Sequence, residues 1–202
     1  MGAAPTCNAR APPVTSPAWH DRVVSFAPDR YVAALHFAAA KHEGQRMAGS
    51  DLPYLVHVVS VAGEVLGVLG REPALDPDLA VGCALLHDTL EDTATTYDEL
   101  VATFGRAVAD GVSALSKLDD SIPKPDRMAD SLRRIRAQPR EIWVVKLADR
   151  ITNLAPPPAA WSSAKRRAYR DEAILIADTL AGASPALEER IRTRIAAYSA
   201  YF

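Results

Sequence analysis

The spacing of the apolar residues constrains the fold of this chain more than any other feature. From about residue 29 onward, large apolar side chains recur at intervals of three or four residues, as at Val58, Val61, Val65 and Leu69. This interval matches the 3.6-residue turn of an α-helix, whereas strand-like alternation is hard to find. Because 49% of the residues are apolar, enough surface exists for a sizeable core. The sequence predicts an all-α bundle of about eight helices.

The chain is expected to divide into a short tail and one domain. Residues 1–28 are rich in proline and poor in large apolar groups, which predicts a disordered tail, and residues 29–202 would form the domain. No apolar run reaches the roughly 18 residues of a membrane span, and no signal-peptide pattern opens the chain. Two cysteines, Cys7 and Cys83, are too few for a disulfide framework. We therefore expect a cytoplasmic protein without membrane contact.

Charge is unevenly distributed although the net charge is only −2. Residues 1–115 carry 7 Lys and Arg against 14 Asp and Glu, whereas residues 116–170 carry 13 against 6. The small net charge argues against a general nucleic-acid binder. Carboxylates for a metal followed by cations for phosphates would produce this asymmetry, and so would ordinary solvated helix faces.

Four ionisable residues lie close together directly after an apolar run: His87, Asp88, Glu91 and Asp92. On one continuous helix, His87 and Glu91 would stack one turn apart, as would Asp88 and Asp92. Buried carboxylates need partners, because an unpaired one costs several kcal/mol or becomes neutral. A divalent cation is a suitable partner. The run predicts that two of these groups hold a metal while two handle protons.

A second polar cluster lies on the helix predicted over about residues 139–154, which is apolar around most of its circumference and therefore central. Lys146, Asp149 and Asn153 form a narrow polar stripe on it. A buried ion pair with a hydrogen-bonded amide would explain the stripe, and so would metal ligation by Asp149. His57 lies one turn into an earlier helix. Together with His87, Asp88 and Asp149, it completes a set of two histidines and two carboxylates. Such a set suits Mn²⁺, Fe²⁺, Zn²⁺ or Mg²⁺.

These motifs resemble those of a known family. The order His57, His87–Asp88, Asp149 is similar to the H…HD…D signature of HD-domain phosphohydrolases. The surrounding motifs resemble the hydrolase domain of RelA/SpoT-type alarmone enzymes over about residues 30–170, and Trp161 with Tyr169 resembles the stand-alone small alarmone hydrolases. The motifs are residues 41–46 (KHEGQR), 53–57 (PYLVH), 85–93 (LLHDTLEDT), 104–105 (FG), 146–150 (KLADR) and 153–154 (NL).

The resemblance implies a fold, an activity and a set of site residues. It implies an HD-domain hydrolase of the stringent response that cleaves the nucleotide (p)ppGpp to GDP or GTP plus pyrophosphate. Mn²⁺ would be the cofactor, although another divalent metal is possible. His57, His87, Asp88 and Asp149 would bind the metal, while Glu91 and Asp92 would activate and orient the attacking water. Candidates for substrate binding are Arg46, Lys117, Lys146, Arg150, Asn153 and Tyr169.

Several points stay open at this stage. The family usually has an Arg-Lys pair after Gln45, whereas this chain has Arg46 followed by Met47 and Ala48, which puts the phosphate contacts on that side in doubt. The substrate could instead be the adenosine analogue (p)ppApp or NADPH. A remote alternative is a nucleotide-sensing module without catalysis. Only two further helices follow the matching region, so we expect a stand-alone hydrolase without a synthetase domain; the sequence leaves the oligomeric state undetermined.

Overall fold

The computed structural model describes residues 26–117, 121–123 and 126–202, and this part of the chain forms ten α-helices without a strand. The all-α prediction is confirmed, with two more helices than expected. Most of the predicted tail lies outside the described residues. The helices are α1 (Pro28–Lys41), α2 (Leu55–Leu69), α3 (Pro77–Leu86), α4 (Thr89–Asp92), α5 (Tyr97–Phe104), α6 (Arg106–Leu115), α7 (Arg127–Arg136), α8 (Arg140–Asn153), α9 (Ser163–Thr179) and α10 (Pro185–Tyr198).

Helix ends follow local sequence signals. The Asp76 side chain accepts hydrogen bonds from the backbone N–H groups of the first turn of α3, and the Thr96 hydroxyl accepts one from the Glu99 N–H at the start of α5. Both are N-cap interactions that satisfy otherwise unpaired backbone donors. Gly105, with φ of +87°, separates α5 from α6 in a conformation that favours glycine.

The prediction of one continuous helix through residues 87–92 is wrong. Helix α3 ends at Leu86 and the four-residue α4 begins at Thr89, so His87 and Asp88 lie in the turn between them. Side chains donate hydrogen bonds to backbone carbonyl oxygens at this junction. The Thr89 hydroxyl donates to the Leu86 oxygen at 2.7 Å, and His87 Nδ1 donates to the Ala84 oxygen at 2.8 Å. Such local bonds compete with the helical backbone pattern.

Helix α8 forms the centre of the bundle. It packs against α2, α3, α6, α7, α9 and α10, and ten of its fourteen residues are buried. Helix α2 packs against both α3 and α8. As a result, His57 of α2, the turn after α3 and Asp149 of α8 are brought to one place. None of the described helices is long and apolar enough to cross a membrane, and the cytoplasmic location stays a prediction.

Close packing at Gly111 supports this arrangement. A Cβ atom added to Gly111 of α6 would lie 2.5 Å from Ile142 Cδ1 of α8 and 2.8 Å from Cys83 Sγ of α3. Gly67 on α2 is a matched comparison, because it is exposed and a Cβ there would meet nothing within 4 Å.

We predict that alanine is tolerated better at Gly67 than at Gly111. Gly67→Ala should raise the free energy of unfolding by up to about 1 kcal/mol through helix propensity. Gly111→Ala gains the same propensity but overpacks the core, so it should be less stable than Gly67→Ala by about 1–3 kcal/mol. Urea unfolding measures both, and equal stabilisation of the two variants would contradict the close packing.

Candidate metal centre

The four predicted metal ligands converge on one point. His57 Nε2 lies 3.3 Å from His87 Nε2, and Asp88 Oδ2 lies 2.8 Å from His87 Nε2 and 3.6 Å from His57 Nε2. Asp149 Oδ1 lies 3.6 Å from His57 Nε2 and 3.9 Å from His87 Nε2. Ligands bound to one divalent ion at about 2.1 Å stand roughly 3.0–3.4 Å apart. His57, His87 and Asp88 form a cluster of the size that one ion could occupy, and Asp149 lies within 4 Å of both histidines. Their mixed nitrogen and oxygen donors are those of a transition-metal site.

Neighbouring groups orient these side chains. A carbonyl oxygen only accepts hydrogen bonds, so the contact with Ala84 places the proton of a neutral His87 on Nδ1 and turns Nε2 toward the cluster. Asp149 is held by two residues of its own helix: Lys146 Nζ donates to Oδ2 at 2.9 Å, and the Asn153 amide donates to Oδ1. The predicted polar stripe is thus an ion pair with a hydrogen-bonded amide, and its central carboxylate faces the histidines.

Electrostatics in the cluster favour positive charge. Burial lowers the pKa of His87, but the carboxylates of Asp88 and Asp149 outweigh it and raise this pKa to about 9. Burial raises the pKa of Asp149, yet the Lys146 ammonium and His87 lower it to about 2. The pKa of Asp88 lies well below its usual range because His87 and several hydrogen bonds outweigh burial. Two ionised, largely buried carboxylates therefore share a site that attracts cations.

Tyr54 is a site residue that sequence reasoning missed. Its hydroxyl donates to Asp88 Oδ2 at 2.5 Å, and its ring centre lies 5.2 Å from that of His57 and 5.0 Å from that of His42. Burial, followed by the charge of Asp88, raises the pKa of this phenol. Its position one turn before His57 in the PYLVH motif was the available signal.

Glu91 and Asp92 lie beyond the cluster and are exposed. Glu91 Oε2 accepts a hydrogen bond from the backbone N–H of Lys117 at 2.9 Å. Desolvation and the charges of Asp88 and Glu91 raise the pKa of Asp92, against a smaller lowering by His42 and His87. Asp92 is therefore close enough to Asp88 and His87 for their charges to act on it, and neither Glu91 nor Asp92 belongs to the cluster of His57, His87 and Asp88.

A cavity of about 390 Å³ opens beside His57. Its walls come from the loop after α1, from α2, from the end of α8 and the loop that follows it, and from α9 and α10. Two of the predicted substrate-binding residues, Asn153 and Tyr169, line it. The described lining residues are Met47, Ala48, Tyr54, His57, Thr152, Asn153, Ala155, Pro156, Pro157, Pro158, Trp161, Tyr169 and Tyr198.

The other predicted substrate contacts lie outside the described wall of this cavity. Arg46 is exposed and donates to the Asp51 carbonyl. Lys146 is paired with Asp149. Arg150 is buried, pairs with Glu172, and stacks 4.4 Å from the centre of the Tyr169 ring. The backbone of Lys117 contacts Glu91, as described above. Their contacts with substrate stay predictions.

Some of the cations in the basic stretch, residues 116–170, form hydrogen bonds that stabilise the fold. The Arg134 guanidinium donates to the carbonyl oxygens of Ser113, Ala114 and Ser116 at the end of α6. Arg166 likewise donates to the carbonyl oxygen of Tyr201. Cations at helix ends satisfy carbonyl groups that lack helical partners. At these two positions, the excess of cations in residues 116–170 therefore serves hydrogen bonds within the fold.

Comparison with known proteins places the chain in a family. The family model described as HD domain matches residues 34–185, which is most of the chain. This chain belongs to the HD domain family. The Danio rerio protein named guanosine-3′,5′-bis(diphosphate) 3′-pyrophosphohydrolase MESH1 is 33% identical over 163 residues, covering 78% of this chain and 88% of that protein. The human protein of the same name is 32% identical over 164 residues, which are 79% of this chain and 89% of that protein.

A solved structure and a longer sequence relative agree with this assignment. A structure described as a metazoan ortholog of SpoT that hydrolyzes ppGpp superposes with a TM-score of 0.73 at 26% identity, covering 88% of this chain and 99% of that chain. A longer relative, the GTP pyrophosphokinase of Myxococcus xanthus, is 37% identical over 153 residues, which are 72% of this chain but only 19% of that protein. The HD domain resemblance predicted from the motifs is confirmed.

The buried Lys146–Asp149 pair leads to a stability prediction. Removing one partner of a buried ion pair leaves an uncompensated charge and costs about 3–5 kcal/mol. Lys146→Met should therefore lower the free energy of unfolding by that amount in urea titrations with a metal chelator. Arg170→Met is the control, because its pair with the exposed Asp171 should contribute less than about 1 kcal/mol. Similar small losses in both variants would contradict the role of Lys146.

Proposed function

We propose that this HD domain is a metal-dependent enzyme that removes the 3′-pyrophosphate of (p)ppGpp, giving GDP or GTP plus pyrophosphate. The observation that carries the proposal is the convergence of two imidazole nitrogens and two carboxylate oxygens beside a cavity of ligand size. Ligand cavities range over roughly 300–1,000 Å³, which includes this one. The names of the relatives supply the substrate class.

The donor set fits a divalent metal. His57, His87, Asp88 and Asp149 would hold the ion, with Mn²⁺ as the proposed metal. Mixed imidazole and carboxylate ligands suit this ion and leave coordination positions open for water and substrate. When bound, a divalent ion lowers the pKa of water and offsets the negative charge that develops on phosphoryl oxygens. The low pKa of Asp149 supports the fit, since its carboxylate needs no deprotonation near neutral pH.

Glu91 and Asp92 would handle the proton of the attacking water. Both carboxylates lie close to the ligands in sequence and are exposed, so a water molecule can reach them. The raised pKa of Asp92 makes it a better proton acceptor near neutral pH, because a general base works best when its pKa approaches the operating pH. The hydrogen bond from Lys117 to Glu91 would hold the other carboxylate in a fixed orientation.

The cavity would hold the nucleoside. Its walls carry the aromatic rings of Tyr54, Trp161, Tyr169 and Tyr198, while Asn153 offers an amide for hydrogen bonding. Met47 lies in the wall and follows Arg46, at the place where the resembled family usually has the lysine of its Arg-Lys pair. A neutral wall there removes one phosphate contact, so we infer that base and ribose, rather than phosphate, occupy that side.

A substrate screen tests the proposal. With Mn²⁺, the purified protein should release pyrophosphate from (p)ppGpp faster than it cleaves (p)ppApp or NADPH, and EDTA should abolish the reaction. Chromatography of the nucleotide products measures all three reactions. Preferential cleavage of (p)ppApp or NADPH would move the assignment to that nucleotide. Metal binding without hydrolysis of any of them would instead indicate a nucleotide-sensing module.

The proton-handling role leads to a prediction for Glu91→Gln. The amide oxygen of glutamine can still accept the Lys117 N–H bond, so the local structure should persist while the base is lost. Turnover should fall by about two to four orders of magnitude with metal binding unchanged, the usual range for a general base. Asp98→Asn, an exposed change on α5, is the control and should keep full turnover. Wild-type turnover in Glu91→Gln would reject the role.

A further inference from the structure

Tyr54 joins the candidate metal centre to the cavity. Its hydroxyl donates to Asp88 Oδ2, the same oxygen that lies 2.8 Å from His87 Nε2, and its side chain forms part of the cavity wall. A phenol donates a single hydrogen bond, whereas a carboxylate oxygen has two lone pairs. The bond to Tyr54 therefore uses one side of Oδ2 and leaves the other side directed at the two histidines.

Two histidine rings contact the Tyr54 ring. The ring of His57 lies 5.2 Å from it, and the ring of His42, which is only 4% exposed, lies 5.0 Å from it. His42 Nδ1 is in turn 2.6 Å from Gln45 Oε1, an oxygen that only accepts, so His42 donates and is itself fixed. A phenol packed against two other rings has little freedom to turn away from Asp88.

We propose that Tyr54 is a positioning residue that fixes the Asp88 carboxylate for metal binding. The inference rests on the proposed metal-dependent function. Hydrogen-bond partners of metal ligands set the ligand orientation, and their loss typically weakens metal affinity by about 10- to 100-fold. A phenol that merely stabilises the fold would instead change the unfolding free energy and leave the metal affinity unchanged.

Tyr97 provides a matched control. Its hydroxyl donates to Asp110 Oδ1, also at 2.5 Å, so the described residues include a second tyrosine–aspartate bond of the same length as that of Tyr54. Tyr97 belongs to α5 and Asp110 to α6, and neither is among the candidate metal ligands. Removing either hydroxyl with phenylalanine deletes a tyrosine–aspartate bond, once beside the candidate metal centre and once away from it. The Tyr97 hydroxyl also accepts a hydrogen bond from Arg106 at 3.3 Å, so its loss costs the fold at least as many bonds.

The test is calorimetric titration of chelator-treated protein with Mn²⁺. Tyr54→Phe should raise the Mn²⁺ dissociation constant by about 10- to 100-fold, whereas Tyr97→Phe should match the wild type. His87→Ala, which lacks a ligand, is the reference for a disrupted site. In turnover assays, Tyr54→Phe should need proportionally more Mn²⁺ for its half-maximal rate.

The outcomes separate this inference from the proposed function. Equal Mn²⁺ affinity in the wild type and Tyr54→Phe would overturn the positioning role while leaving the metal site intact. Equal weakening in both phenylalanine variants would also overturn it, because the effect would then arise from general stability. A wild-type protein that binds no Mn²⁺ and cleaves no nucleotide with it would overturn the proposed function itself.

Discussion

The buried negative charge of Asp149 in the central helix is the interaction on which the rest of the site depends. An ionised carboxylate at such a position requires compensation, which Lys146 and Asn153 supply from the same helix. Both partners lie on the helix that carries Asp149, and His87 adds to the compensation from outside that helix. The surrounding helices are then free to bring histidines rather than lysines or arginines toward Asp149. The same carboxylate can thus serve the fold and, as we propose, a metal.

Helix packing converts three distant sequence segments into one site. Helix α2 contacts both α3 and α8, and the small side chain of Gly111 lets α6 approach Cys83 of α3 and Ile142 of α8. The carboxylate oxygens of Asp88 and Asp149 lie within 4 Å of the two histidine nitrogens only if these contacts are kept. Packing errors of about 1 Å at the core would therefore be transmitted to the cluster, because protein interiors are close-packed and yield little.

The helical class, the central position of α8 and the set of four converging residues could all be predicted from the sequence. They could be predicted because the spacing of apolar residues, and the polar residues that interrupt it, indicate which positions are buried. The sequence was insufficient at residues 87–92, where side-chain hydrogen bonds of Thr89 and His87 outweigh the helical pattern. Side-chain contacts between different helices could not be predicted from the sequence either. The partners of Tyr54 and Arg150 depend on how helices pack, and no local spacing shows that Tyr54 contacts Asp88 or that Arg150 stacks on Tyr169.

The three consecutive prolines of residues 156–158 give the cavity wall an unusual property. Proline fixes φ near −65°, so this stretch has fewer accessible backbone conformations than an ordinary loop. A loop that must become ordered around a ligand loses conformational entropy, and that loss weakens binding. The proline wall has already lost most of this freedom in folding. Selectivity along that wall should therefore arise from its fixed shape, and ligands that need the wall to move should bind poorly.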